Sequence, residues 1–161
     1  MPLTDDKTLQ YQIAITLLPG VGDINARKLI AFTGSPEAVF TEKRANLMRI
    51  PGMGQSTVNL ILANRQVLNR AAQEVEFIRK YNISTTFFTE PGYPERLKQC
   101  VDSPVLIFTL GNADLGNARI VSVVGTRRAT EYGKEICRKL INGLAAHNVL
   151  ISSGLAYGID T

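Results

Sequence analysis

The run Arg119 to Thr161, RIVSVVGTRRATEYGKEICRKLINGLAAHNVLISSGLAYGIDT, constrains the fold more than any other part of the chain. Ile120 to Val124 is an apolar, β-branched run, which predicts a parallel strand covered on both faces. Gly125 ends it. Glu131 to His147 then spaces Ile136, Leu140 and Leu144 along one helical face. Val149 to Ser152 is the next apolar run, closed by Ser153-Gly154. Strand, helix and strand at these lengths make a βαβ unit, whose crossover is right-handed in nearly all known cases.

Two parallel strands end on the same edge of their sheet. The turns Gly125-Thr126-Arg127-Arg128 and Ser153-Gly154-Leu155-Ala156-Tyr157-Gly158 should therefore open side by side. Small residues let backbone N–H groups approach a ligand, a helix start adds a positive dipole, and two arginines add full charge. Open α/β sheets bind ligands at this edge. The pair of turns predicts one anion site, most simply for phosphate. The same glycines and arginines would also serve as plain solvated tight turns. Neither G-x-G-x-x-G nor G-x-x-x-x-G-K-[ST] is present, so the dinucleotide and P-loop fingerprints are not met. Arginines directly in the turn favour an exposed phosphate backbone over a buried pyrophosphate.

Charge agrees with such a partner without requiring it. Among 161 residues, 18 Lys plus Arg stand against 14 Asp plus Glu, a net charge of +4. That balance suits nucleic acid, but charge speaks to association rather than fold. Cys100 and Cys137 lack metal-ligand spacing and suggest reduced thiols in a cytoplasm. No stretch is long and apolar enough for a membrane helix, and Met1 to Gln10 is unlike a signal peptide. The expectation is a soluble cytoplasmic protein with no membrane partner.

The first half of the chain reads as helical. Asp5 and Asp6 offer caps for a helix with Leu9, Ile13 and Leu17 on its apolar face. A second helix follows, with Ile24, Leu29 and Ile30 expected inward and Ala26 small enough for close approach. Ser35 to Phe40 suggests a short capped helix. One long helix is expected from about Gln55 to Lys80, with Val58, Ile61, Leu68, Ala72 and Val75 on one face. Between these helices lies a repeat: Leu-Pro-Gly-Val-Gly at 18–22 recurs as Ile-Pro-Gly-Met-Gly at 50–54, an offset of 32 residues from Pro19 to Pro51. Each copy resembles a helix-hairpin-helix motif, in tandem. Glycines make the hairpin tight and leave the orphan N–H groups of the next helix facing outward, where they can hold a DNA phosphate without reading bases. Gly20, Gly22, Gly52 and Gly54 are thus candidates for secondary DNA contacts. Val58 stands where the first copy has Ala26, which predicts a looser second hairpin. The alternative is that the hairpins only pack a small domain or dock a protein; Arg27, Lys28 and Arg49 are the nearest basic residues.

After Asn82 the composition shifts towards β, and the domain boundary is expected there, between 1–82 and 83–161. Ile83 to Phe88 and Pro104 to Leu110 read as strands, Glu95 to Cys100 as a short helix, and Gly111 to Asn117 as a loop. Tyr93, beside a proline, is expected to pack its loop rather than stack on a base. His147, the one histidine, suits a helix C-terminus through the dipole. No carboxylate pair, catalytic triad or metal cluster is legible, so no catalytic residue, metal or cofactor is expected.

Taken together, the tandem hairpins, Tyr93-Pro94-x-x-Leu97, Asp102-x-Pro104-x-Leu106, Gly125-Thr126-Arg127, Tyr132-Gly133 and Ser153-Gly154-Leu155-Ala156-x-Gly158-Ile159-Asp160 resemble the DNA-processing protein A family, DprA, also called Smf. The resemblance covers essentially the whole chain. It implies a tandem helix-hairpin-helix domain followed by the first part of a Rossmann-like parallel-sheet domain, an α/β protein truncated at Thr161. It implies a non-enzymatic binder of single-stranded DNA that helps load the RecA recombinase in natural transformation and forms a homodimer when intact. By the same resemblance Gly125, Thr126 and Arg127, with Ser153, Gly154 and Gly158, line the DNA phosphate pocket, Arg127 carrying the main charge and Arg128 beside it. The competing expectation is a Rossmann-like nucleotide phosphoribohydrolase, since likeness of fold does not carry chemistry.

Overall fold

Asp5 starts the first helix as expected, its carboxylate accepting from the Thr8 N–H at 3.0 Å. The computed structural model describes residues 4–116 and 119–161, which fall into two compact units, 1–110 and 111–161. The first contains α1 (Asp6–Thr16), α2 (Asp23–Thr33), α3 (Pro36–Thr41), α4 (Arg44–Leu47), α5 (Gln55–Ala63), α6 (Val67–Lys80), β1 (Ser84–Phe87), α7 (Glu95–Lys98) and β2 (Leu106–Thr109). The second contains β3 (Ile120–Ser122), α8 (Glu131–Ala145) and β4 (Leu150–Ser152). The architecture is mixed α/β.

In the first unit α1 packs against α6, α3 and α2. Leu9, Ile13, Leu29, Val39, Leu47, Val58 and Ile61 are buried between the helices. Each such side chain contributes about 1.5–3 kcal/mol on leaving water. Ala26, Leu29 and Ile30 face inward, but Ile24 is 45% exposed because the first turn of α2 directs Asp23, not Ile24, to a partner. The long helix expected over 55–80 is two helices. Asn64 turns its side-chain amide onto the Leu60 carbonyl at 2.8 Å, and tight bonds from Val67, Leu68 and Asn69 to the carbonyls three residues back follow. An asparagine that competes for its own backbone ends α5, and apolar spacing cannot register this.

β1 and β2 pair antiparallel, with Phe87 opposite Leu106. Phe87, Val105 and Leu106 join the helical core. Two α2 side chains secure the segment before β2: Asp23 accepts from the Val105 N–H at 2.8 Å, and Arg27 donates to the Ser103 hydroxyl at 2.6 Å while lying over the Phe88 ring. The compact unit therefore runs to residue 110 and includes the strands beyond Asn82, where composition changes. Tyr93 is buried, its hydroxyl donating to the Pro104 carbonyl, so it packs its loop.

In the second unit β3 and β4 are parallel, with Ile120 opposite Leu150, Val121 opposite Ile151 and Ser122 opposite Ser152. α8 joins them and gives the expected strand–helix–strand order. Thr130 caps α8 by accepting from the Gly133 N–H at 3.1 Å. The expectation of a strand covered on both faces does not hold. β3 ends at Ser122, Val121 is partly exposed, and Val124 is 73% exposed. The physical reason is that one helix can cover only one face of a two-stranded ladder, and α8 is the one helix among the described residues of this unit. Ile136 and Leu140, expected on the inward face of α8, are likewise half exposed. The expected loop after Gly111 is present as far as residue 116; Asn117, its expected end, lies outside the described residues, as do Met1 to Leu3.

Candidate functional site

The segment after β3 and the segment after β4 lie against each other, because both strands run the same way. The Ile159 N–H donates to the Thr126 carbonyl at 3.2 Å, and the Gly125 N–H donates to Asp160 Oδ1 at 2.9 Å. The Ser153 hydroxyl donates to the Asp160 carbonyl at 3.1 Å. Within the first turn, Thr126 accepts the Arg128 N–H through its hydroxyl at 3.2 Å, a local bend of the kind serine and threonine favour. The structure thus brings Gly125, Thr126, Arg127 and Arg128 together with Ser153, Gly154 and Gly158.

Glycine is required here for contact between the two turns. A Cβ on Gly125 would lie 2.6 Å from the Ile159 Cβ. One on Gly158 would lie 2.2 Å from the Thr126 carbonyl oxygen, and Gly158 has φ of +108°. The arginines point away from this packing. Arg127 and Arg128 are exposed, and among the described residues neither makes an ion pair. A cleft of about 340 Å³ sits behind the second turn, lined by Lys134, Cys137, Arg138 and Ile141 of α8 and by Gly158 and Ile159. Neither Arg127 nor Arg128 lines it.

Sequence reasoning overlooked Asp160 as a site residue. Its target, Gly125, lies 35 positions away, so no local spacing signals the bond. An acidic residue closing a glycine-rich turn was the one available sign. Leu155, in the same turn, is a non-glycine residue at φ of +51°, with its side chain exposed.

The repeated turns of the first unit are closely alike. Gly20 and Gly52 have φ of +71° and +78°, a region open to glycine. Gly22 and Gly54 take the N-cap positions of α2 and α5 in extended conformation, without side-chain caps. Val21 and Met53 donate to the Leu18 and Ile50 carbonyls at 3.1 and 3.0 Å. The looser second hairpin expected from Val58 is not found: Val58 and Ala26 are both buried and the backbones match, since the core accommodates the extra methyl groups. The turns also meet each other's helices. A Cβ on Gly20 would lie 3.3 Å from Leu60 of α5, and one on Gly52 would lie 3.3 Å from Lys28 of α2. The 32-residue offset that carries Gly20 to Gly52 also carries Lys28 to Leu60, so the two copies face each other with approximate twofold symmetry. Of the basic residues near these turns, Arg27 is committed to Ser103 and Phe88, while Lys28 and Arg49 are exposed.

These features define a mixed α/β protein with duplicated helical turns and a parallel strand–helix–strand element that presents interlocked glycine turns and free arginines. Residues 84–161 match the family described as DNA recombination-mediator protein A. The chain is 27% identical over 157 residues to protein Smf of Synechocystis, which covers 93% of this chain and 38% of that protein. It is 45% identical over 69 residues to DNA processing protein DprA of Streptococcus pneumoniae, covering 43% of this chain and 24% of that protein. Over 83 residues it is 36% identical to DNA processing protein DprA of Bacillus subtilis, covering 51% and 28%. These matches support the DprA/Smf family for this chain. It spans between about a quarter and two fifths of the length of these relatives. No helix among the described residues is long and apolar enough to cross a membrane.

Proposed function

We propose that this chain is the DNA-holding part of a recombination mediator, and that it binds single-stranded DNA through the Gly125–Arg128 turn. The observation that carries this reading is the pair Arg127 and Arg128, exposed and, among the described residues, without ion pairs, on a turn within the family match. A guanidinium that has no acidic partner is available for phosphate, and Arg suits phosphate through its planar fork. Backbone contacts of this kind fix position without reading sequence, so affinity rests on charge and falls steeply with salt.

The paired turns at Gly20–Gly22 and Gly52–Gly54 support a tandem helix-hairpin-helix unit, whose uncapped helix starts offer N–H groups to a second stretch of phosphate backbone. The parallel β3–α8–β4 element supports the beginning of a Rossmann-like domain. The family match from residue 84 supports a functional boundary near Asn82, although β1 and β2 fold onto the helices. In this reading the whole protein acts without catalysis, as a cytoplasmic homodimer that places RecA on single-stranded DNA during transformation.

The test is fluorescence anisotropy of labelled single-stranded and duplex oligonucleotides across a salt series, with wild type and Arg127→Ala. The expected results are a preference for single strands, a negative dependence on salt, and a loss of about 1.5–3 kcal/mol in the variant. Binding that neither salt nor Arg127→Ala weakens would overturn the proposal. Turnover of a nucleoside monophosphate by the chain would favour the phosphoribohydrolase instead.

A further inference from the structure

Asp160 occupies a position that a phosphate oxygen would take if the first glycine turn bound an anion through its backbone. Its Oδ1 accepts the Gly125 N–H at 2.9 Å, and its Oδ2 lies 3.1 Å from where a Gly154 Cβ would be. The carboxylate therefore sits between the opening residues of the two turns. Its own backbone is held as well, by the Ser153 hydroxyl on its carbonyl and by the neighbouring Ile159 N–H on Thr126. It makes no ion pair among the described residues, so its charge is not cancelled by a lysine or arginine side chain at contact distance.

We infer that Asp160 is a specificity-determining residue of the anion site, acting as a built-in anion that closes the turn's N–H to phosphate. This rests on the phosphate reading of Arg127 and Arg128 given above. A terminal phosphate monoester or inorganic phosphate needs a compact nest of N–H donors to be held as a dianion. Here the Gly125 donor is satisfied, and a second negative charge beside Asp160 is repelled. A phosphodiester backbone needs neither the nest nor close approach: it carries one charge per phosphate and is reached by the outward arginine side chains. The carboxylate thus rejects mononucleotides and free phosphate while leaving a polynucleotide backbone bound, which is specificity by an unfavourable element placed against the wrong ligand. It also separates a DNA binder from a mononucleotide-processing enzyme built on a similar sheet edge.

The experiment is a titration of the full 161-residue chain with inorganic phosphate, followed by NMR at the Gly125 amide, on wild type, Asp160→Ala and Asp160→Asn. Asparagine keeps an oxygen for the Gly125 N–H and removes the charge; alanine removes both. Wild type should leave the Gly125 resonance unmoved at millimolar phosphate, and Asp160→Ala should gain a phosphate-dependent shift at that amide. Removing one negative charge at roughly 5 Å in a water-like medium should raise phosphate affinity in Asp160→Asn about fourfold for each unit of charge on the phosphate. That variant remains informative even where Asp160→Ala does not fold. A Gly125 shift in wild type, or equal phosphate affinity in wild type and Asp160→Asn, would overturn the inference. Anisotropy with a single-stranded oligonucleotide on the same samples separates the two proposals. Wild type that binds no oligonucleotide but keeps Gly125 closed to phosphate sinks the DNA reading and leaves the role of Asp160 standing.

Discussion

Replacing Gly158 with alanine tests whether the two turns are locked together as described. At φ of +108° an alanine is strained by about 1–3 kcal/mol before any contact is considered. Its Cβ would then stand 2.2 Å from the Thr126 carbonyl oxygen, where 3.0 Å is already shorter than real Cβ contacts. The obstacle is backbone on a facing turn, not the end of a side chain, so the turns must separate by about 1 Å. The Ile159–Thr126 hydrogen bond is lost with that movement, a further ~1 kcal/mol. The sum is about 2–4 kcal/mol, concentrated in residues 125–128 and 153–160. Hydrogen exchange by NMR reads this directly: protection should fall at the Ile159 and Gly125 amides and stay unchanged at Ile83, whose N–H bonds Ile78 in the first unit. Gly143→Ala is the control, because a Cβ there meets nothing within 4 Å. In the interior of α8 that change should stabilise the helix by about 0.5–1 kcal/mol. Gly158→Ala with undiminished Ile159 protection would refute the interlocked geometry.

Two further outcomes are expected. Gly20→Ala and Gly52→Ala should each lower stability by about 1–2 kcal/mol and by similar amounts, since both glycines are left-handed and each faces the other copy's helix; chemical denaturation checks this, and a large inequality would contradict the symmetry of the repeat. Asp5 should make the start of α1 sensitive to acid. Its hydrogen bonds from the Thr8 side chain and N–H hold its carboxyl below the ordinary value of 3.8. A depressed value means that the native state binds the proton less readily, so the contribution is complete above 3.8 and is lost as pH falls through the lowered value. Exchange at the Thr8 amide should quicken over that interval in wild type, and Asp5→Asn should flatten the response.

Much of the fold was legible because its causes are local. The caps at Asp5 and Ser35, the duplicated Pro-Gly turns, and the strand–helix–strand order from Ile120 to Ser152 each follow from spacing and from backbone preferences of single residues. The adjacency of the two glycine turns was legible too, since parallel strands must end on one edge. Features decided by tertiary contact were not. Arg27 stands beside a hairpin in the sequence as one of its nearest basic residues, but a partner 76 residues away holds it. Asn64 divides a helix whose apolar spacing continues unbroken, because its side-chain amide takes a carbonyl of the preceding turn.

The glycines of the candidate site show the division most clearly. The amino-acid sequence by itself determined where the turns fall and that arginines stand on the first of them, because strand ends and glycine punctuation are written residue by residue. Only the tertiary structure decided what the glycines do there. Gly125 and Gly158 lack side chains because Ile159 and the Thr126 carbonyl occupy that space, and the Gly125 N–H is satisfied by Asp160. Which atoms of distant segments meet depends on how β3 and β4 align in register, and no local pattern encodes that.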